Sequence, residues 1–126
     1  MYHRLPCNIL FDLDGTLIDG IDDLVSAINT VLHHHTLAPV TRMILEPMLG
    51  DGMHKLAWRA FAARGITLQG PQHDEVFAQF VQAYANTDYR HTRLFDGALH
   101  TLTTLHAQGW KLGLASNKLT AACQRI

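Results

Sequence analysis

Apolar positions along this chain follow two rhythms. From Asp22 to His35, the residues Leu24, Val25, Ile28, Val31 and Leu32 recur at helical spacing and form one stripe. A short apolar piece follows at Met43 to Leu49. Met53, Leu56, Ala57, Ala60 and Phe61 make a second stripe that ends at Gly65, and Val76, Phe77, Phe80, Val81 and Tyr84 make a third after the breaker Gly70-Pro71. No strand rhythm interrupts them, so residues 20–89 predict a compact helical insert whose stripes pack on one another. The second rhythm is the short continuous apolar run. Asn8 to Asp12 and Trp110 to Ala115 both read as buried strands. Between them Asp96 is a candidate N-cap, Ala98, Leu99, Leu102, Leu105 and His106 form the expected buried face of a helix, and Gly109 closes it. A helix between two such strands predicts a parallel, right-handed crossover with both strands ending at one edge of the sheet. From Leu119 the apolar positions Ala122, Cys123 and Ile126 begin another helix. The expected fold is therefore α/β, with a parallel-sheet core from residues 1–19 and 90–126 and a helical insert between.

Chemistry-bearing residues gather where the predicted strands end. Side chains alternate along a strand, so continued extension past Phe11 would turn Asp12 and Asp14 to one side and Leu13 to the other. Two carboxylates in one small space repel unless a cation lies between them or one keeps its proton. Gly15 permits a turn directly after the pair and lets backbone N–H groups approach an anion. Ser116, at the end of the second strand, would face Asp12. Its hydroxyl with a following N–H, at Asn117, suits the clamping of phosphoryl oxygens.

Composition narrows the partners. With 126 residues, 48% of them hydrophobic, the chain can bury one core, or one core and a small insert. A formal charge of -1 and a pI near 6.7 give no general attraction to nucleic acid or to an anionic membrane. No apolar run is long enough to span a bilayer, and Met1 to Pro6 lacks a signal-peptide layout, so a cytoplasmic protein is expected. Cys7 and Cys123 match no metal spacing and are expected as free thiols. Three of the nine histidines are consecutive, His33 to His35. Consecutive helical residues point about 100° apart, which suits a polar helix end better than a metal site. Gly50-Asp51-Gly52 precedes the second stripe. The two glycines could present N–H groups to an anion or simply turn the chain between helices, and Lys55 could meet a substrate carboxylate or the solvent.

The ten-residue string Asn8 to Leu17, with its Asp12-Leu13-Asp14-Gly15-Thr16 centre, resembles the first motif of the haloacid dehalogenase superfamily, and Ser116-Asn117-Lys118 resembles its second. The resemblance implies a partial Rossmann-like core with a helical cap inserted after the first motif. It implies that Asp12 is the nucleophile, that Asp14 is the general acid and base, and that Mg²⁺ is held by the Asp12 carboxylate and the Asp14 backbone carbonyl. Gly15, Thr16, Ser116 and Asn117 would surround the phosphoryl group. These roles are chemically coherent, because a carboxylate attacks a phosphate ester only when the ester's charge is screened, and an alkoxide leaving group needs a proton. Asp14 favours phosphoryl chemistry over carbon–halogen cleavage, since dehalogenating members lack that second acid. The string Asp14 to Leu24, with Leu49 to Leu56, is similar to the phosphoglycolate phosphatase branch, although Gly20 stands where that branch usually has a small hydroxyl residue. Gly50, Gly52 and Lys55 are then the candidate substrate contacts.

The third motif's lysine and the fourth motif's acids have no counterpart before Ile126, and Lys118 belongs to the second motif by position. The resemblance therefore implies a C-terminally shortened member. The expected activity is Mg²⁺-dependent hydrolysis of a small phosphorylated metabolite, 2-phosphoglycolate first. Two other readings stand beside it: a truncated, inactive or weak fragment that acts as a binding module, which the two missing motifs favour for this chain by itself, and a sugar-phosphate mutase or another small-molecule phosphatase. The bare edge of the first strand is expected to support a homodimer.

Overall fold

The computed structural model describes residues 7–116, 118 and 120–126. They divide into two compact units, 7–19 with Arg93–Ser116, and Gly20–Thr92 with the described residues after 117.

The second of these is all helical among the described residues, with α1 (Ile21–His34), α2 (Arg42–Leu45), α3 (Met53–Ala62) and α4 (Gly70–Asn86). Asp22 and Asp23 in the first turn of α1 and His33 and His34 in its last turn complement the helix dipole. The helix stops at a left-handed residue, Thr36 (φ 58°). There the Thr36 N–H bonds to the His33 carbonyl and the Leu37 N–H to the Leu32 carbonyl, at 3.0 and 2.9 Å, closing the helix end in a Schellman arrangement. Pro47 lies at the start of a 3-10 turn over Glu46–Met48. It has no N–H to continue α2, which ends after four residues. Gly70-Pro71, read in the sequence as a breaker, instead forms the first turn of α4, where a proline's missing N–H costs nothing. The three stripes meet in one core. Leu24, Ile28, Val31 and Leu32 pack with Leu56, Ala57, Ala60 and Phe61 and with Val76, Phe80 and Tyr84. Burying Phe80 alone is worth about 2–3 kcal/mol.

The sheet unit holds β1 (Asn8–Phe11), β2 (Ile18–Asp19), β3 (Arg93–Leu94), α5 (Ala98–Ala107) and β4 (Lys111–Leu114). β1 and β4 pair in parallel, Asn8 with Lys111 through Phe11 with Leu114, as a strand–helix–strand crossover requires. The crossover helix ends at Gly109 (φ 87°), whose N–H bonds to the His106 carbonyl while Trp110 N–H bonds to Leu105.

Four features differ from expectation. First, the strands are not buried: every residue of β1 and β4 is exposed or half-buried, and Leu10 is 72% exposed. Second, α5 has no buried residue. Leu99 and His106 of its expected inner face are exposed, and Ala98, Leu102 and Leu105 are half-buried. Both follow from the size of the sheet. A parallel pair needs cover on two faces, and one ten-residue helix cannot supply it. Third, the N-cap of α5 is Gly97 in a left-handed conformation with no side-chain cap, not Asp96. Fourth, the helix after residue 119, α6 (Thr120–Arg125), groups with the helical unit and not with the sheet. Ala122 is buried in the helical core, the Lys118 ammonium lies 4.6 Å from the Tyr84 ring centre, and the Arg125 guanidinium lies over Tyr89. The β2–β3 pair, Ile18 with Leu94 and Asp19 with Arg93, has no sequence signature, because two residues carry no period. Among the described residues no helix is long and apolar enough to cross a membrane.

Candidate functional site

The parallel ladder continues one step past the strands. Ala115 N–H donates to the Phe11 carbonyl at 2.8 Å, so the residues that follow, Asp12 on one side and Ser116 on the other, emerge at the same end of the β1–β4 pair. Beyond Phe11, Leu13 is buried at 8% exposure, while Asp12 is exposed and Asp14 half-buried. The chain then folds over the Leu13 carbonyl, which accepts from the N–H groups of Thr16, Leu17 and Ile18 at 3.2, 2.9 and 3.1 Å. Gly15 makes this turn at φ 76°, a conformation that a side chain would strain. On its far side the turn is fastened to β3, where Phe95 N–H donates to the Leu17 carbonyl at 2.9 Å.

This turn alters one expectation. The Gly15 N–H donates to the Ile18 carbonyl at 2.9 Å and the Thr16 N–H to Leu13, so neither amide is presented to an anion in this structure. The short loop closes on itself and uses its own donors. The Thr16 side chain, on an exposed residue, remains available to a phosphoryl oxygen. Asn117, the other expected phosphate contact, lies outside the described residues.

Asp12 and Asp14 offer only oxygen donors. That suits Mg²⁺, which takes one or two carboxylates and completes its shell with water and substrate phosphate. Among the described residues no group of three or more His, Cys, Asp or Glu side chains could hold a metal ion.

In the helical unit, Gly50 (φ 114°) and Gly52 (φ 86°) flank Asp51 just before α3, and Lys55 is exposed. Sequence reasoning missed what Asp51 does. Arg59 Nη2 donates to its carboxylate at 2.5 Å while Nη1 donates to the Met48 carbonyl at 2.7 Å. The Arg59 hydrogen bond and charge, with a smaller contribution from Lys55, hold the Asp51 carboxyl below the usual carboxylate range. The loop that could either meet an anion or simply turn the chain thus carries a carboxylate of its own, neutralised by Arg59. Of the consecutive histidines, His33 and His34 are exposed. His35 Nε2 meets Gln79 Oε1 at 2.9 Å, and its ring packs edge-on against Phe61.

The haloacid dehalogenase-like hydrolase family matches residues 9–126, nearly the whole chain and including both strand ends. The chain belongs to this family. Among curated relatives, a phosphoglycolate phosphatase of Cereibacter sphaeroides is 34% identical over 94% of this chain and 54% of its own length. A phosphoglycolate phosphatase of Caulobacter vibrioides is 37% identical over 89% of this chain and 47% of its own. Among solved structures, a predicted phosphoglycolate phosphatase from Haemophilus somnus superposes with a TM-score of 0.82 at 28% identity, covering 92% of this chain and 53% of that one. The Protein Tyrosine Kinase A of Mycobacterium tuberculosis superposes with a TM-score of 0.75 at 30% identity, covering 95% and 52%. The chain spans about half the length of the relatives it matches. This haloacid dehalogenase-like hydrolase carries the segment with Asp12 and Asp14 after β1, Ser116 after β4 and, between them in sequence, the helical unit.

Proposed function

We propose that the chain is the nucleophile-bearing part of a Mg²⁺-dependent phosphatase of small phosphorylated metabolites, with 2-phosphoglycolate as the first substrate. The observation that carries this reading is the parallel β1–β4 pair, which delivers an exposed Asp12 and Ser116 to one end of a sheet in a chain similar to phosphoglycolate phosphatases. The Asp12 carboxylate attacks phosphorus, the ester oxygen leaves with a proton from Asp14, and an acyl phosphate is left on Asp12. Water then attacks that phosphorus, giving its proton to the Asp14 carboxylate, and inorganic phosphate departs from a restored Asp12. The Ser116 and Thr16 hydroxyls donate to the phosphoryl oxygens. When bound at Asp12 and Asp14, Mg²⁺ supplies the charge that screens the incoming ester. Gly50, Gly52 and Lys55 belong to substrate selection in this reading, with Lys55 meeting the carboxylate of phosphoglycolate. The exposed edge of β1 supports self-association of the chain.

Phosphate release from 2-phosphoglycolate by the purified chain, with Mg²⁺ and after chelation, tests the proposal. Release that needs Mg²⁺ and exceeds release from phosphate esters without a carboxylate is expected. Release that persists after chelation would contradict the mechanism, and a preference for sugar phosphates would replace the substrate.

A further inference from the structure

Among the described residues Asp23 is the one buried charged side chain, with no exposed surface. Its neighbour Asp22 is exposed and pairs with Arg42 at 3.2 Å, so the first turn of α1 already has an acid facing its dipole. Asp23 instead lies on the buried stripe, in line with Ala27 and Val31, where an apolar residue would be ordinary. Removing a carboxylate from water is costly unless donors replace the water. Here the donors come from one place. Asp23 Oδ2 accepts the His91 backbone N–H at 3.0 Å and the Thr92 hydroxyl at 2.8 Å, and Oδ1 lies 3.2 Å from His91 Nδ1. Asp23 is three residues inside the start of the helical unit at Gly20, and Thr92 is its last residue before β3.

We infer that Asp23 is a positioning residue that pins together the two points at which the chain enters and leaves the helical insert. An apolar residue at position 23 could fill the space but would take from the His91 N–H and the Thr92 hydroxyl the carboxylate oxygen that accepts from both. With the carboxylate in place, that segment cannot leave α1 without stripping a buried charge of its partners. The next residue, Arg93, pairs with Asp19 in the β2–β3 ladder, so two clasps follow one another on the same pair of chain segments, 19–23 and 91–93. This assignment does not rest on the phosphatase reading.

Amide hydrogen exchange on the whole chain tests it, in wild type, Asp23→Ala, Asp23→Asn, Thr92→Val and, as a control matched for lost stability, Val31→Ala. Losing the carboxylate should speed exchange at His91 by about tenfold or more, with faster exchange at Arg93 and Leu94 and little change in α3 and α4. Asp23→Asn retains one acceptor oxygen and should recover part of the His91 protection, and Thr92→Val should lose a smaller part. Val31→Ala should instead speed exchange across α1 and α4 without singling out residue 91. If Asp23→Ala does not fold, the Asn and Val variants decide. Wild-type exchange at His91 in both, or a uniform increase in every variant like that of Val31→Ala, would overturn the pin and leave Asp23 a general packing residue.

Discussion

Phe80 and Leu10 are both large apolar side chains on regular elements, yet Phe80 is fully buried in the helical unit while Leu10, on β1, is 72% exposed. The same contrast separates α1 from α5. α1 buries six residues, one of them Asp23, whereas α5 buries none. Helical stripes can close a core with three partners of similar length, and the stripes of α1, α3 and α4 do so. A parallel strand pair has two faces and two outer edges to cover, and among the described residues β1 and β4 pair only with each other. On the proposed function, stability and chemistry are therefore lodged in different places. The helical unit holds the packed apolar mass, and the sheet unit holds the carboxylates and the hydroxyl on a scaffold that leaves its own surface open.

The contrast can be broken first at Asp12. Because that residue is exposed, Asp12→Asn should lower turnover by at least about 10³-fold while moving stability by less than about 0.5 kcal/mol, as read by phosphate release and chemical denaturation. A large loss of stability would mean that Asp12 is structural. The opposite signature is expected at Phe80. Phe80→Ala should cost about 3–5 kcal/mol through the cavity it leaves, and a loss below about 1 kcal/mol would show that the helical core is not closed as described. Leu10→Lys should leave unfolding nearly unchanged and reduce self-association in light scattering, because it charges the bare strand. Unchanged association would move the contact elsewhere.

How much of this was legible in the sequence follows the same division. The stripes through Leu24, Ile28 and Val31, through Leu56, Ala60 and Phe61, and through Val76, Phe80 and Tyr84 all reached the core, because helical periodicity reports burial when the partners lie within the chain. The run Asn8 to Phe11 and the face of α5 carry the same apolar signal, but periodicity cannot say whether anything covers them. Asp12 and Ser116 were expected where the predicted strands end, and the parallel register brings both to one end of the β1–β4 pair. Asp23 was not singled out, although an acid in line with Ala27 and Val31 was a visible irregularity. Arg59 was missed because its partners, Met48 and Asp51, are fixed by the loop rather than by any spacing. The Gly15 and Thr16 amides, both used within the turn, show the reverse limit, since a glycine signals a turn without revealing which donors the turn consumes.

Smaller effects sharpen the account of the helical unit. Thr36 is β-branched and left-handed at the end of α1, so Thr36→Gly should raise stability by roughly 1 kcal/mol in thermal unfolding. A loss would mean that the threonine side chain makes up for its strain. The smallest effect concerns Asp51. Its carboxyl is lowered in the folded state by Arg59, so its contribution is present above the ordinary carboxylate range and disappears as pH falls through the lowered value. Asp51→Asn should therefore be slightly less stable than wild type at neutral pH, and the two should converge in acid. An equal gap at all pH values would contradict the ion pair, which is exposed and small in any case.

The central claim, that Asp12 at the end of β1 takes the phosphoryl group, is tested most directly by mass spectrometry of the chain quenched during incubation with 2-phosphoglycolate and Mg²⁺. One added phosphoryl group on the peptide containing Asp12, absent from Asp12→Asn and discharged by water on longer incubation, is the predicted result. A phosphoryl group on Ser116 or on a histidine, or release of phosphate with undiminished rate by Asp12→Asn, would contradict it.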